Sequence, residues 1–219
     1  MNNAKMEISS TVEAVEVRLL ALKRNEKLLY EKMKRFLDIF LSLIGCVIGI
    51  PIVIITCIVV VLESKGNPIY TQERLGKDGQ AFKLYKIRSM CTDAEKNGPK
   101  WADKNDSRVT RVGKFIRKTR IDEIPQLFNI LKGDMSIVGP RPERSVFTFE
   151  FQKEIPTFIN RLQVKPGLTG LAQVNGGYDI TPKEKLKHDL EYIENRNFSM
   201  DFKIILKTAL IVFNHKGAR

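Results

Sequence analysis

From Ile39 to Leu62 the chain runs 24 residues without a charge (IFLSLIGCVIGIPIVIITCIVVVL), bounded by Asp38 and Glu63. As one helix at about 1.5 Å per residue this segment would measure roughly 36 Å, against a bilayer core of about 30 Å. A core helix of a soluble protein carries a polar stripe at such a length, so the segment belongs in lipid. Whether it crosses is a separate question. Pro51 stands near its middle, after Gly49, and removes one helical hydrogen bond. Lys32, Lys34 and Arg35 precede the run, and Lys65, Arg74 and Lys77 follow it. Basic flanks stay cytoplasmic, so neither end looks translocated. The pattern favours a broken helix that enters and leaves one leaflet over a kinked span.

Of the 219 residues, 37 are Lys or Arg and 25 Asp or Glu, a formal charge of +12. Residues 1–38 hold 8 basic and 6 acidic side chains, and residues 63–219 hold 29 and 19. The excess therefore belongs to the part after the apolar run, and it implies anionic partners: nucleic acid, a membrane surface or phosphate-bearing small molecules. Three cysteines, two of them inside the apolar run, exclude a disulfide framework. Without CxxC or paired Cys/His spacing, a structural zinc site is excluded too. The opening MNNAKMEISS lacks the pattern of a cleavable signal peptide.

Ahead of the apolar run, Val12, Val15, Leu19, Leu22, Leu29, Met33 and Phe36 keep a helical spacing, and Ser10 with Glu13 makes a capping box. Such a helix lies on the bilayer or pairs with itself into a homo-oligomer. The expected division is an amphipathic helix over 1–33, a membrane segment over 34–63 and a folded domain over 64–219.

That domain reads as mainly helical with a little sheet. Pro68–Glu73 and Ala81–Ile87 are strand-like runs around the turn RLGKDGQ, which predicts a hairpin. Residues 92–110 read as a polar loop or short helix. Helices are expected over Val112–Arg120, Ile124–Leu131 and, interrupted near Pro156, Glu143–Leu162. Thr181-Pro182-Lys183-Glu184 starts another helix with a capping box, and Ser199 could cap the last one. The last helix carries Phe202, Ile205, Leu206, Ala209, Leu210 and Phe213 on one face, for the core or a membrane surface. His188 and His215 are expected at the surface, and Trp101 in packing.

Chemistry concentrates in three places. Arg111–Arg120 (RVGKFIRKTR) has five basic residues in ten and no acid, and Ile121-Asp122-Glu123-Ile124-Pro125-Gln126 follows directly. Pro125 is comfortable only in a first helical turn, which puts Asp122 and Glu123 near a helix start. Carboxylates there can simply pair with cations. Together with free helix N–H groups and Arg/Lys they can instead hold a phosphate through a divalent metal, or keep one carboxylate ionised as a nucleophile. Second, Pro140 and Pro142 fix the backbone around Arg141, a guanidinium suited to gripping an anion bidentately. Third, Lys165–Gln173 (KPGLTGLAQ) is a glycine-rich loop whose amides could cradle a phosphate.

Several motifs fall in order along residues 33–215. The apolar segment comes first, then Thr71–Gly76 (TQERLG), Tyr85–Met90 (YKIRSM) and Ile121–Gln126 (IDEIPQ). Leu131–Ser136 (LKGDMS), Gly139–Pro142 (GPRP) and Lys165–Gly176 follow. In that order they resemble the monotopic phosphoglycosyl transferases, bacterial sugar transferases that begin glycan assembly on a polyprenyl phosphate. The resemblance implies a re-entrant membrane helix followed by a cytoplasmic, α/β-mixed catalytic domain at the bacterial inner membrane. It implies Asp122 as nucleophile toward the β-phosphate of a UDP-sugar, with UMP released and a phosphosugar-aspartyl intermediate formed. Polyprenyl phosphate then takes the sugar phosphate, a first step of exopolysaccharide, capsule, O-antigen or glycoconjugate synthesis. Glu123 is the position expected to hold Mg²⁺. Lys86, Arg88, Arg117 and Arg141 match basic positions that contact phosphates or nucleotide. The chain departs from the family's usual Ser-Pro at the helix break, having Ile50-Pro51.

Two other classes compete. A nucleic-acid-binding membrane protein would explain the charge, but no nucleic-acid module is recognisable and one Trp with five Tyr gives few stacking platforms. A non-catalytic membrane scaffold or anion-binding protein would explain the helices, yet leaves the Asp-Glu, Pro-Arg-Pro and glycine series without a reason. No residue carries a signature for one particular sugar.

Overall fold

A computed structural model describes residues 2–96, 98, 106–176 and 180–214, with side chains from residue 27 onward. Trp101 and His215 lie outside the described residues. The fold is mainly helical with two small sheets. It divides into two compact units, Met1–Leu37 and Asp38–Arg219.

Helix α1 (Asn2–Glu63) is a single element that continues through Pro51. Its start at Asn2 differs from the expected capping box, since Ser10 falls inside the helix; the side chains of residues 10 and 13 lie outside the described set. Lys27–Glu63 is the one described helix long and apolar enough to cross a membrane. Within the larger unit, α1 buries a narrow stripe. Asp38, Ser42 and Val60 are buried, whereas Phe40, Val47, Ile48, Ile55 and Leu62 are exposed. The stripe is spaced three and four residues apart, so one side of the helix packs on protein while the rest presents bare hydrocarbon.

Strands β1 (Ile69–Leu75) and β2 (Ala81–Ile87) form the predicted hairpin, pairing antiparallel from Ile69↔Ile87 to Leu75↔Ala81. Asp78 and Gly79, both at positive φ, turn the chain between them. Helices α2 (Arg111–Lys118) and α3 (Gln126–Lys132) follow, separated by a 3-10 turn over Ile121–Glu123. Thr110 caps α2 by accepting from the Gly113 amide at 2.9 Å. Gly133, at φ +95, ends α3 in the left-handed region.

Strand β3 (Ser136–Val138) pairs in parallel with β4 (Gly167–Thr169), a contact with no counterpart in the sequence reading. Between them lie α4 (Ser145–Glu154) and a 3-10 stretch over Pro156–Gln163, the interruption expected at Pro156. Helix α5 (Leu171–Gly176) leads to α6 (Pro182–Asn195), which begins with the predicted Thr181/Glu184 capping box. Helix α7 (Phe198–Phe213) is capped by Asn197, which accepts from the Met200 amide, and not by Ser199. Its inward face carries Asp201, Ile204 and Thr208, so Phe202, Leu206, Leu210 and Phe213 stand exposed rather than in the core. His188 is half-buried, 3.5 Å from Glu191.

Three apolar clusters hold the larger unit together. Val138, Val164, Leu171, Tyr192, Ile193 and Ile204 join the parallel sheet to the carboxy-terminal helices. Leu84, Ile130 and Met135 join the hairpin to α3. Val60, Ile87 and Ile116, with Val53 and Cys57 against them, join α1 to both the hairpin and α2.

Candidate active site

Asp122 and Glu123 are buried in the 3-10 turn, at 6% and 7% exposure. One side chain sets their position relative to the hairpin. Asn129, fully buried on α3, accepts from the Tyr85 amide at 3.1 Å and donates to the Lys83 carbonyl at 2.7 Å and Asp134 at 3.1 Å. By replacing ladder partners on β2, this amide locks α3 to the strand and brings Lys86 to the carboxylates. Lys86 Nζ lies 3.0 Å from Glu123 Oε1 and 3.9 Å from Asp122 Oδ2. Arg141 grips Glu123 with both terminal nitrogens, Nη1 to Oε2 at 3.4 Å and Nη2 to Oε1. The two prolines thus deliver an Arg that engages a carboxylate bidentately.

The two neighbouring carboxylates have opposite electrostatics. Burial pushes Asp122 up to about 6 and adjacent Glu123 pushes the same way, outweighing the pull of Lys86, Arg117 and Arg141. Burial also opposes ionisation of Glu123, but Arg141 and Lys86, as charges and as hydrogen-bond donors, hold it below the carboxylate range. Glu123 is therefore a fixed anion, and Asp122 an ionised carboxylate at neutral pH without a donor of its own among the hydrogen bonds around Glu123. A poorly solvated, weakly paired carboxylate is the more nucleophilic of such a pair.

All six residues singled out in the sequence line one cleft of about 820 Å³. Lys86, Arg141, Asp122 and Glu123 meet directly. Arg117 reaches the cleft from α2, its Nε donating to Ser89 Oγ at 2.8 Å. Arg88 is committed elsewhere: it donates to the carbonyls of Ser64 and Lys65, tying the end of β2 to the end of α1. The sequence reading missed Arg120, which also lines the cleft and takes a left-handed backbone (φ 58) immediately before the turn. That conformation is costly for a non-glycine residue and is stored where the chain reverses into the carboxylates. Tyr70, Phe147, Phe151, Gln173 and Ile180 line more of the cleft with aromatic, amide and aliphatic surface.

The glycines of the Lys165–Gln173 series serve close backbone packing. A Cβ on Gly139 would meet the Lys165 carbonyl at 2.5 Å, and one on Gly167 or Gly170 would meet the backbone of Gly139. These glycines let β3, β4 and the start of α5 approach one another closely. Behind Arg141, Glu143 accepts from Lys185 and lies 3.7 Å from Arg74. Burial opposes its charge, yet Lys185, Arg161 and Arg74 hold Glu143 down at about 2. Among the described residues no three His, Cys, Asp or Glu side chains cluster as a ready-made metal cage.

A sequence model of the bacterial sugar transferases matches residues 29–215, and the chain belongs to that family. A Bacillus subtilis (strain 168) protein, provisionally named an undecaprenyl-phosphate N-acetylgalactosaminyl 1-phosphate transferase, is 61% identical over 133 residues. The match takes in 61% of this chain and 74% of that protein. The UDP-N-acetylgalactosamine-undecaprenyl-phosphate N-acetylgalactosaminephosphotransferase of Aeromonas hydrophila is 43% identical, over 87% of this chain and 46% of its own. The undecaprenyl-phosphate galactose phosphotransferase of Salmonella typhimurium is 38% identical, over 93% and 45%. The chain thus spans less than half the length of the last two.

Proposed function

We propose that this protein transfers a sugar 1-phosphate from a UDP-sugar to a polyprenyl phosphate at the cytoplasmic face of a bacterial membrane. The observation that carries the reading is the buried Asp122–Glu123 pair set among Lys86, Arg117 and Arg141 in one cleft. Asp122 Oδ attacks the β-phosphorus of the donor. The Oδ–P bond forms as the bond from phosphorus to the bridging oxygen breaks, and UMP leaves with that oxygen. An oxygen of the polyprenyl phosphate then attacks the same phosphorus, displaces the Asp122 carboxylate and yields a polyprenyl diphosphate sugar. Phosphoryl transfer calls mainly for positioning and charge neutralisation, which Lys86, Arg117 and Arg141 supply.

The donor set suits Mg²⁺ in its usual nucleotide mode, with one or two carboxylates from the protein and the rest from phosphate and water. Glu123, with Asp122 beside it, would hold the ion, which supplies further neutralisation of the diphosphate. Lys86 and Arg141 keep Glu123 ionised and ready for that role. Glu123→Gln is expected to raise the Mg²⁺ concentration for half-maximal UMP release at least tenfold. An unchanged metal titration would remove Glu123 from metal binding.

Two contacts at the ends of the apolar segment of α1 support a seat on one side of the membrane. Asp38 Oδ1 accepts from Ser136 Oγ at 3.1 Å and the Ile137 amide at 2.9 Å, while Glu63, 25 residues on, accepts from the Arg111 and Val112 amides. Both ends of the apolar segment are thus bonded to the same charged domain. A helix crossing the bilayer would have to part them by roughly 30 Å of hydrocarbon. This supports a monotopic arrangement in which both ends of the segment stay on one side of the membrane. The exposed stripe of α7, with Lys203 and Lys207 on the same helix, suits the same surface. In a background with the native cysteines replaced by serine, Lys32→Cys and Lys77→Cys are both expected to react with a membrane-impermeant thiol reagent only from the cytoplasmic side. Labelling from opposite sides would establish a crossing helix.

The sugar is open among UDP-hexoses and UDP-N-acetylhexosamines. Incubating the purified chain with polyprenyl phosphate and a panel of such donors, and measuring UMP, tests the function; no release from any donor would overturn it.

A further inference from the structure

The apolar segment and its two ends touch the elements that carry Arg141, Arg117, Arg88 and the Asp122–Glu123 turn. Asp38 holds β3, which runs directly into Gly139 and Arg141. Glu63 caps the amide end of α2, which carries Arg117. The carbonyls just beyond Glu63 hold Arg88. The closest approach lies in the middle of the buried stripe. A Cβ placed on Gly45 would lie 2.9 Å from Leu127 Cδ1, and one on Gly49 would lie 2.6 Å from Ile124 Cγ2. Carbon atoms pack at about 3.5–4.0 Å, so even a methyl at position 49 needs a displacement of about 1 Å.

Ile124 is the residue after Glu123, and its amide donates to the Ile121 carbonyl at 3.2 Å to close the 3-10 turn. Glu123 is held likewise, its amide donating to the Arg120 carbonyl at 3.1 Å. Because Asn129 clamps α3 to β2 one turn further on, a push on Ile124 cannot be relieved by sliding the whole helix. It must fall on the turn that carries Asp122 and Glu123. We infer that Gly49, with Gly45 beneath it, is a positioning residue: the glycine notch in the membrane segment sets how deeply the catalytic turn seats, and thereby where the Asp122 carboxylate stands relative to Lys86 and Arg141. The membrane segment is then part of the active-site framework as well as its attachment to lipid.

This rests on the function proposed above. The test uses the full chain in detergent micelles with excess polyprenyl phosphate, so that delivery to a bilayer no longer matters. Misplacement by about 1 Å costs on the order of 10²-fold in rate. Gly49→Ala is expected to lower kcat for UMP release 10- to 100-fold while KM for the UDP-sugar moves less than threefold, because the cations that bind the donor sit on other elements. Ile124→Leu keeps the side-chain volume but removes the branch at Cβ; the Gly49→Ala/Ile124→Leu double variant is expected to regain at least fivefold in kcat over Gly49→Ala alone. Val47→Leu, on the bare face at 75% exposure, should leave both constants unchanged. The inference is overturned if Gly49→Ala keeps kcat within twofold of the parent. It is also overturned if the double variant recovers nothing, or if the lost activity matches an equal loss of folded protein on size exclusion. A parent chain that releases no UMP from any donor would instead defeat the function itself, whereas an active parent with an unaffected Gly49→Ala defeats only the notch.

Discussion

Asp122→Asn is expected to abolish UMP release, by at least ~10³-fold in kcat, while leaving the protein folded and bound to membranes. An amide oxygen has neither the charge nor the basicity to displace UMP, and loss of a covalent nucleophile is among the largest single-residue effects in enzymes. Two observations support this residue over its neighbour in the proposed role. Glu123 is occupied by Lys86 and Arg141, so its lone pairs are directed at cations and its charge is compensated. Asp122 stands 3.9 Å from Lys86 and is held above its ordinary range by burial. The same burial sets the stability of the variant. A carboxyl whose folded value rises from 3.8 to about 6 costs stability progressively as pH climbs through that interval, and the whole cost persists above it. At pH 7.5 the neutral Asn should therefore melt no lower than the parent. Substrate-free thermal unfolding and UMP release, measured on one preparation, check both halves. An active Asp122→Asn removes the covalent step, and an inactive one that melts well below the parent leaves the loss to unfolding.

How far the sequence reached depended on the range of the interactions involved. The apolar helix over 39–62, the hairpin around Gly76–Gln80 and the capping box at Thr181 are written in consecutive residues, and each was legible. Asp122, Glu123 and Arg141, which the structure brings into one cleft, were marked locally by prolines and dense charge. Asp38 was not: it read as the polar boundary of an apolar run, and its partner lies 98 residues away at Ser136. Asn129, the amide that brings Lys86 to the carboxylates, reads as an ordinary polar residue in a helix. Three-residue strands are too short to show a period of two, so β3 and β4 passed for loop, and the packing role of the glycines between them was not read. On α7 the apolar stripe was seen, but the sequence left open whether it faces the core or a membrane surface. Tyr192 Oη, which donates to Asp201 at 2.9 Å, draws the opposite face to the core instead. Arg88 was named on the family resemblance, which gave no sign that the carbonyls of Ser64 and Lys65 also hold its guanidinium.

Arg161→Met and Asp189→Asn are each expected to destabilise the larger unit by ~3–5 kcal/mol, the cost of leaving one buried charge or donor set without its partner. Arg161 and Asp189 are 2% and 1% exposed, and Arg161 Nε and Nη2 meet Asp189 Oδ2 at 2.9 and 2.7 Å. The guanidinium lies 5.1 Å from the centre of the Phe158 ring. For a chain of this size the loss corresponds to a fall of roughly 6–20 °C in the melting temperature. Replacing both partners by apolar residues, Arg161→Met with Asp189→Leu, should cost much less than the sum, since no charge is then stranded. Stability is only part of what the pair supplies. Arg161 Nη2 also donates to the Arg141 carbonyl at 2.8 Å, so it fixes the backbone from which the cleft guanidinium projects. The double variant should therefore recover its melting temperature yet keep a raised KM for the UDP-sugar, because the apolar pair restores packing but not the bond to Arg141. If the double variant regains both, Arg161 serves the core alone. If stability stays low while KM is unchanged, Pro140 and Pro142 hold Arg141 without help from the buried pair.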